Sequence, residues 1–178
     1  MAQEPKRRKG LLHLYAGDGK GKTTAAVGMA VRAAGQGLRV FFMQFLKGRD
    51  TGELEGLRRL GIEWIRAGDS EKFLFQMTTE EKAVYLAGQR RSFLEAAGRA
   101  GAYDLLILDE GLDAMRAGVF SEQELLEWID GRPPGLELVL TGREPTQALV
   151  DRADYYSRIE KEKHPWDQGL QARRGIEY

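Results

Sequence analysis

Leu11-Leu12-His13-Leu14-Tyr15-Ala16-Gly17-Asp18-Gly19-Lys20-Gly21-Lys22-Thr23-Thr24-Ala25-Ala26 is the stretch on which the fold turns. Its mostly apolar start, Leu11 to Tyr15, runs into a glycine-rich turn and reads as a short buried strand. From Thr23 onward, Ala26, Met29, Ala30, Ala33 and Ala34 recur at spacings of three and four, the period of a helix face, and Gly35 with Gly37 supplies a stop. Strand, glycine loop and helix in direct succession make a phosphate grip. The glycines let the chain curl so that consecutive N–H groups turn toward one point, and the helix adds the positive end of its dipole there. Lys22 supplies a point charge and Thr23 a hydroxyl suited to magnesium. The loop meets the pattern G-x-x-x-x-G-K-[ST] except at its first position, where Ala16 stands and the glycine comes one residue later. A flexible turn that happens to contain lysines is the alternative, and the flanking strand and helix weigh against it.

Outward from this loop the same alternation repeats. Val40 to Met43 reads as a second buried strand, followed by a polar, glycine-containing stretch from Gln44 to Gly56 on the side where open α/β sheets hold ligands. Leu54 to Leu60 forms a short helix, Ile62 to Ile65 an apolar segment, and Ala67 to Met77 a loop. Thr78-x-x-Glu81 is a capping box that opens a long helix reaching about Gly98, and Ser121-x-x-Glu124 opens another that carries Leu125 and Ile129. Leu105 to Leu108 and Leu136 to Leu140 are further strands. Strands alternating with helices predict an α/β fold of the P-loop, RecA-like kind, a three-layer sandwich with a mainly parallel central sheet. Residues 1–9 read as a mobile basic arm and residues 10–178 as one domain, with the last 20 residues less regular.

Asp109 and Glu110 close the aliphatic run of the Leu105 strand, the place for acids that hold or orient magnesium at the sheet edge beside a phosphate loop. The alternative is a strand-end acid that caps the next turn. Thr141-Gly142-Arg143 follows the next strand, where Arg143 can clamp a phosphate or serve as a surface arginine.

Composition removes several classes of function. With no cysteine, disulfides, thiolate nucleophiles and cysteine-ligated metal clusters are excluded. The two histidines, His13 and His164, give little material for a zinc site or a histidine-based triad. His13 lies in an apolar strand and reads as a hydrogen-bonded core residue, and His164 before Pro165 reads as part of a turn. The 27 basic residues balance 27 acidic ones, so no global field draws the chain to nucleic acid, and Lys6 to Lys9 read as a solvated run. The apolar run after them is too short for a membrane segment, which makes the cytoplasm the default expectation.

Five ordered stretches carry a resemblance. Gly17-Asp18-Gly19-Lys20-Gly21-Lys22-Thr23-Thr24-Ala25-Ala26, Gln44-Phe45-Leu46-Lys47-Gly48, Leu108-Asp109-Glu110, Thr141-Gly142-Arg143, and the tail from Lys163-His164-Pro165-Trp166-Asp167-Gln168-Gly169 through Gly175-Ile176-Glu177-Tyr178 together resemble the ATP:corrinoid adenosyltransferases of the CobA/BtuR type. The late glycine of the phosphate loop is itself the form found in that family. The resemblance implies transfer of the 5′-deoxyadenosyl group of ATP to the Co(I) of cobalamin or a precursor corrinoid, with triphosphate as the other product. It implies ATP held by Gly17, Asp18, Gly19, Lys20, Gly21, Lys22, Thr23, Thr24 and Arg143, Mg²⁺ held by Thr23, Glu110 and Asp109, and catalytic roles for Lys22 and Glu110. Phe73 and Phe75 stand where the family carries an aromatic-x-aromatic pair against the lower face of the corrin, and Trp166 is a further corrin contact. For each the alternative is packing, the two phenylalanines as a cap on the core. The resemblance also implies an external electron donor for Co(II) and a homodimer. Two rivals remain from the residues alone, a P-loop small-molecule kinase or NTPase and a nucleic-acid-linked ATP-binding module.

Overall fold

The computed structural model describes residues 9–48, 51–68, 70 and 72–178. Of the predicted basic arm, residues 1–8 lie outside the described residues. Six strands form one sheet: β1 (Leu12–Ala16), β2 (Val40–Gln44), β3 (Glu63–Arg66), β4 (Leu105–Asp109), β5 (Glu137–Gly142) and β6 (Tyr155–Arg158). Their order is β3-β2-β4-β5-β1-β6, and every neighbouring pair runs parallel. The sheet is therefore wholly parallel, where the sequence reading asked for a mainly parallel one. Parallel neighbours need crossovers, and helices supply them: α1 (Lys22–Gly35), α2 (Gly52–Arg59), α3 (Thr79–Arg99), α4 (Gly111–Ala117), α5 (Glu122–Gly131) and α6 (Gln147–Arg152).

The helices divide between the two faces because strand side chains alternate. Val40, Phe42, Leu105, Ile107 and Val139 point to one face and pack with Ala26, Ala30 and Ala33 of α1 and with Leu54 and Leu57 of α2. Phe41, Met43, Leu106, Leu108, Leu138 and Leu140 point to the other and meet Phe93 and Ala96 of α3, Leu112 of α4, Leu125 and Ile129 of α5, and Leu149 of α6. With both faces covered, the central strands are continuous apolar runs, as buried parallel strands require.

Both predicted capping boxes start their helices. Thr78 accepts from the Glu81 N–H and Ser121 from the Glu124 N–H, satisfying donors that a helix end leaves open. The loop expected over residues 67–77 is a loop, with one 3-10 turn at Leu74–Gln76. The apolar segment Ile62 to Ile65 overlaps the strand β3, whereas α4, α6 and β6 escaped the sequence reading. Their signals are weak, since α4 begins from a left-handed Glu110 with no side-chain cap, and all four residues of β6 are exposed. His13 is the core residue the sequence predicted. Its Nε2 lies 2.6 Å from Glu137 Oε1, and its ring stacks on Tyr155 at 4.5 Å.

All the strands of a parallel sheet end on the same edge. The loops after β1, β2, β4 and β5 therefore gather on one side, the edge where open α/β sheets hold ligands.

Candidate active site

The phosphate loop spans the gap between β1 and α1. Gly17 has φ 127° and Gly21 has φ 122°, conformations open to glycine. Gly17 and Gly19 have a second reason to lack side chains. A Cβ on Gly17 would lie 2.2 Å from the Ile159 carbonyl oxygen, and one on Gly19 would lie 2.7 Å from the Glu160 backbone. The chain leaving β6 passes directly against the loop and is stitched to it. The Gly19 N–H donates to the Ile159 carbonyl at 2.8 Å, and the Ile159 N–H donates to the Ala16 carbonyl at 2.7 Å. The Gly17 N–H donates to the Arg143 carbonyl at 2.8 Å.

These bonds refine the expected phosphate cradle. The N–H groups of Gly17 and Gly19 are already committed to carbonyls, so the open donors run from Lys20 through Gly21, Lys22 and Thr23 to Thr24. None of those five has a backbone acceptor among the described residues, and the α1 N-terminus carries no side-chain cap. A helix start with free N–H groups and two lysines is an anion site. Lys22 folds back over the loop, its Nζ donating to the Gly19 carbonyl at 2.7 Å, and burial lowers its pKa. Asp18 is tied to the chain beyond β6: its carboxylate accepts from the Lys161 N–H at 3.1 Å, and that bond lowers its pKa.

Beside the loop stands the end of β4. Asp109 is fully buried, and its two oxygens are crowded with donors. Oδ1 accepts from Thr23 Oγ1 at 2.8 Å and from Thr141 Oγ1 at 2.7 Å. Oδ2 accepts from Lys47 Nζ at 2.8 Å and from Gln44 Nε2 at 3.4 Å. One carboxylate thus ties together the phosphate-loop threonine, the end of β5 and the turn after β2. Burial would lower the pKa of Lys47, but Asp109, Glu110 and Glu53 outweigh it and the pKa is raised.

Glu110 differs from its neighbour. It adopts a left-handed backbone with φ 59°, uncommon outside glycine, and its N–H is held by Thr141 Oγ1 at 2.8 Å. Its carboxylate has no hydrogen-bond partner among the described residues. Burial pushes its pKa up to about 7, with Asp109 and Asp113 adding to the rise and Lys47 and Lys22 opposing it. The strand-end acids therefore divide, one saturated and one available.

Residues 18–24, Glu110, Asp113, Thr141 and Arg143 line a cleft of about 480 Å³. Arg143 is exposed there, and its guanidinium has no ion pair among the described residues. Gly142, φ 153°, leaves no room for a side chain, because a Cβ would lie 2.5 Å from the Leu112 Cβ. The tail crosses the mouth of this cleft, a feature the sequence reading missed. Ile176 and Glu177 line it, and Glu177 Oε1 pairs with Lys20 Nζ at 2.7 Å while Arg173 holds the same carboxylate. Together Arg173 and Lys20 bring the Glu177 pKa down to about 2.

The aromatic candidates stand apart from the buried core. Phe73 and Phe75 stack with ring centroids 5.5 Å apart and planes 5° from parallel, and they are 56% and 84% exposed. Exposure on that scale disposes of the core-cap alternative. Trp166 is 61% exposed in a 3-10 turn, Pro165–Gln168, and its N–H is capped by His164 Nδ1 at 3.1 Å. His164 thus has the turn role expected of it. Lys47, Gln44 and Thr141 are the site residues that sequence reasoning left without a role, although each lies in a stretch singled out by its pattern.

Among the described residues no cluster of three or more His, Cys, Asp or Glu side chains gathers to hold a metal, and no helix is long and apolar enough to cross a membrane. Residues 8–178 match the family model described as ATP:corrinoid adenosyltransferase BtuR/CobO/CobP. A corrinoid adenosyltransferase of Pseudomonas aeruginosa is 31% identical over 173 residues, covering 96% of this chain and 84% of that protein. The corrinoid adenosyltransferase CobA of Salmonella typhimurium is 31% identical over 179 residues, covering the whole of this chain and 89% of that protein. Among solved structures, the cytoplasmic domain of EssC superposes with a TM-score of 0.51 over 92% of this chain and 34% of its own, at 16% identity, a likeness of fold alone.

Proposed function

The chain belongs to the ATP:corrinoid adenosyltransferases of the BtuR/CobO/CobP family, and from that premise we propose how its own residues carry the transfer of a 5′-deoxyadenosyl group from ATP to the cobalt of a reduced corrinoid. The observation that carries the assignment of residues is the junction at the sheet edge. Open N–H groups from Lys20 to Thr24 and the Lys22 ammonium lie in one cleft with the unpaired carboxylate of Glu110.

In the reaction the Co(I) electron pair attacks C5′ of ATP. A cobalt–carbon bond forms, the C5′–oxygen bond breaks, and the bonding pair leaves on the triphosphate. The nucleophile belongs to the substrate, so the protein needs no nucleophile of its own. Its task is to hold the triphosphate and stabilise the charge that gathers on it. The loop N–H groups and Lys22 do this from one side. Arg143, exposed at the rim, supplies a second cation, and Lys20 a third once Glu177 releases it. Gly17, Gly19 and Asp18 act on ATP indirectly, by fixing the loop to the chain beyond β6.

The donor set fits a magnesium ion. Thr23 gives its only hydrogen to Asp109 and keeps its oxygen lone pairs, while Glu110 has a carboxylate with no donor on it. Mg²⁺ takes a few protein oxygens together with substrate phosphates and water, which suits two ligands better than a cage of acids. Thr23 and Glu110 would hold it, and bound there it neutralises the triphosphate as a leaving group.

Phe73 and Phe75 offer an apolar face for the corrin, where they would exclude an axial ligand from the cobalt, and Trp166 is a second aromatic contact. The electron that produces Co(I) comes from an external donor. The reading includes a homodimer in the cytoplasm. A kinase or NTPase reading is not favoured by the family match. The test is direct. Protein, Mg-ATP and chemically reduced cobalamin should yield the absorption spectrum of adenosylcobalamin, and a yield no greater than the protein-free control would remove the activity.

A further inference from the structure

The stretch Gln44-Phe45-Leu46-Lys47-Gly48, from the last residue of β2 into the turn beyond it, is built with more constraint than a connection needs. Phe45 is fully buried, and its N–H donates to the Asp109 carbonyl at 3.0 Å. Leu46 stands at φ 54°, a left-handed conformation disfavoured for a side chain of its size. It is held there by Gln89 of α3, fully buried, whose Oε1 accepts from the Leu46 N–H at 3.1 Å. At Gly48 a Cβ would lie 1.5 Å from the Ser70 carbonyl oxygen, so only glycine lets the chain pass. Backbone strain persists where the surroundings over-determine it. What these constraints deliver is the Lys47 side chain, 18% exposed and turned inward, with Nζ 2.8 Å from Asp109 Oδ2 and 3.3 Å from Glu53 Oε1.

A carboxylate has about four lone-pair directions. Those of Asp109 are filled by Thr23 and Thr141 on one oxygen and by Lys47 and Gln44 on the other. A cation could bind Asp109 directly only by displacing one of these four donors, and at Oδ2 it would meet the repulsion of the Lys47 ammonium. We propose that Lys47 is a positioning residue: it reserves Asp109 as the anchor of Thr23, so that the divalent cation arriving with ATP is ligated by Thr23 and Glu110 and not by Asp109. The inference rests on the magnesium site proposed above and removes Asp109 from the ligand set that the resemblance implies. It also gives the strained Leu46 turn a purpose, since a relaxed turn would carry the ammonium away.

The test is Mn²⁺ binding by the full chain, followed through the electron paramagnetic resonance of free Mn²⁺, with and without ATP, beside ATP binding in excess chelator. In Lys47→Met, Asp109 Oδ2 loses its cation, and Mn²⁺ affinity without nucleotide should rise at least about tenfold. ATP affinity in chelator should stay within about twofold, because Lys47 does not hold the phosphates. The double variant Lys47→Met with Asp109→Asn removes both charges and keeps an oxygen for Thr23, so it stays testable if the single variant fails to fold. It should bind Mn²⁺ with ATP within about threefold of the unaltered protein. No gain of Mn²⁺ affinity in Lys47→Met, a loss of about tenfold in metal-free ATP affinity, or a loss of about tenfold in Mn²⁺ affinity in the double variant would each overturn the inference. Failure of the unaltered protein to bind Mn²⁺ with ATP would instead remove the metal site, and this inference with it.

Discussion

The phosphate loop and the loop that carries Phe73 and Phe75 are built in opposite ways. Between Ala16 and Thr24 the chain is fastened from every side, to Ile159 and Lys161 beyond β6, to Arg143 beyond β5, and through Thr23 to a buried Asp109. The two phenylalanines stand in solvent and stack on each other. The first region is preorganised, its donors held where charge will gather, which is the arrangement that stabilises a leaving group without rearrangement. The second offers apolar area that is still exposed, and such area gains from a large ligand. The difference matches the division of substrates proposed above. In that proposal triphosphate goes to the fixed region, and a broad apolar ring to the exposed one.

Substitutions can break that division. The largest effect is expected for Lys22→Ala, which removes a cation from the triphosphate site. Turnover should fall by roughly a hundredfold or more in a steady-state assay. The melting temperature should barely move, because the ammonium holds only the Gly19 carbonyl. A large drop in melting temperature would show that the loop is stability rather than chemistry. Next comes Phe73→Ala with Phe75→Ala. Turnover of cob(II)alamin with a reductant should fall about tenfold or more while ATP affinity by calorimetry is unchanged. Unchanged turnover would discard the aromatic assignment.

Smaller effects sharpen the boundary of the fixed region. Glu177→Gln frees Lys20 from its ion pair, so ATP should bind about two- to fivefold tighter, a size set by an exposed contact that solvent already weakens. The least effect is on stability against pH. The Glu110 carboxyl has a folded pKa of about 7, against about 4.3 for the unfolded chain. The folded state therefore binds more protons between these values, and stability falls as pH rises through that window. Melting temperature without nucleotide or metal should decline across it. In Glu110→Gln this part of the decline should disappear, and an identical pH profile would mean that Glu110 is not the titrating group.

The same contrast explains what could be read from the chain alone. Strand, loop and helix around Gly17 to Thr23 are local patterns, and so are the capping boxes at Thr78 and Ser121, which form as written. The roles of Lys47 and Thr141 depend on Asp109, 62 and 32 residues away, and no local pattern reports such a pairing. Gly17 and Gly19 were legible as glycines of a phosphate loop, but part of their reason is the backbone of Ile159 and Glu160. Likewise β6 has no apolar alternation, since Tyr155 to Arg158 are all exposed, and it is defined by its register on β1. The tail shows the limit most plainly. Its Glu177 meets Lys20 across 157 positions of sequence.

We propose that the fixed loop grips triphosphate as a leaving group and not as the source of a transferred phosphate. Phosphorus magnetic resonance of the completed reaction decides it, with protein, Mg-ATP and reduced cobalamin. One intact inorganic triphosphate is expected for each adenosylcobalamin formed. ADP with orthophosphate or a phosphorylated product, and no triphosphate, would contradict it.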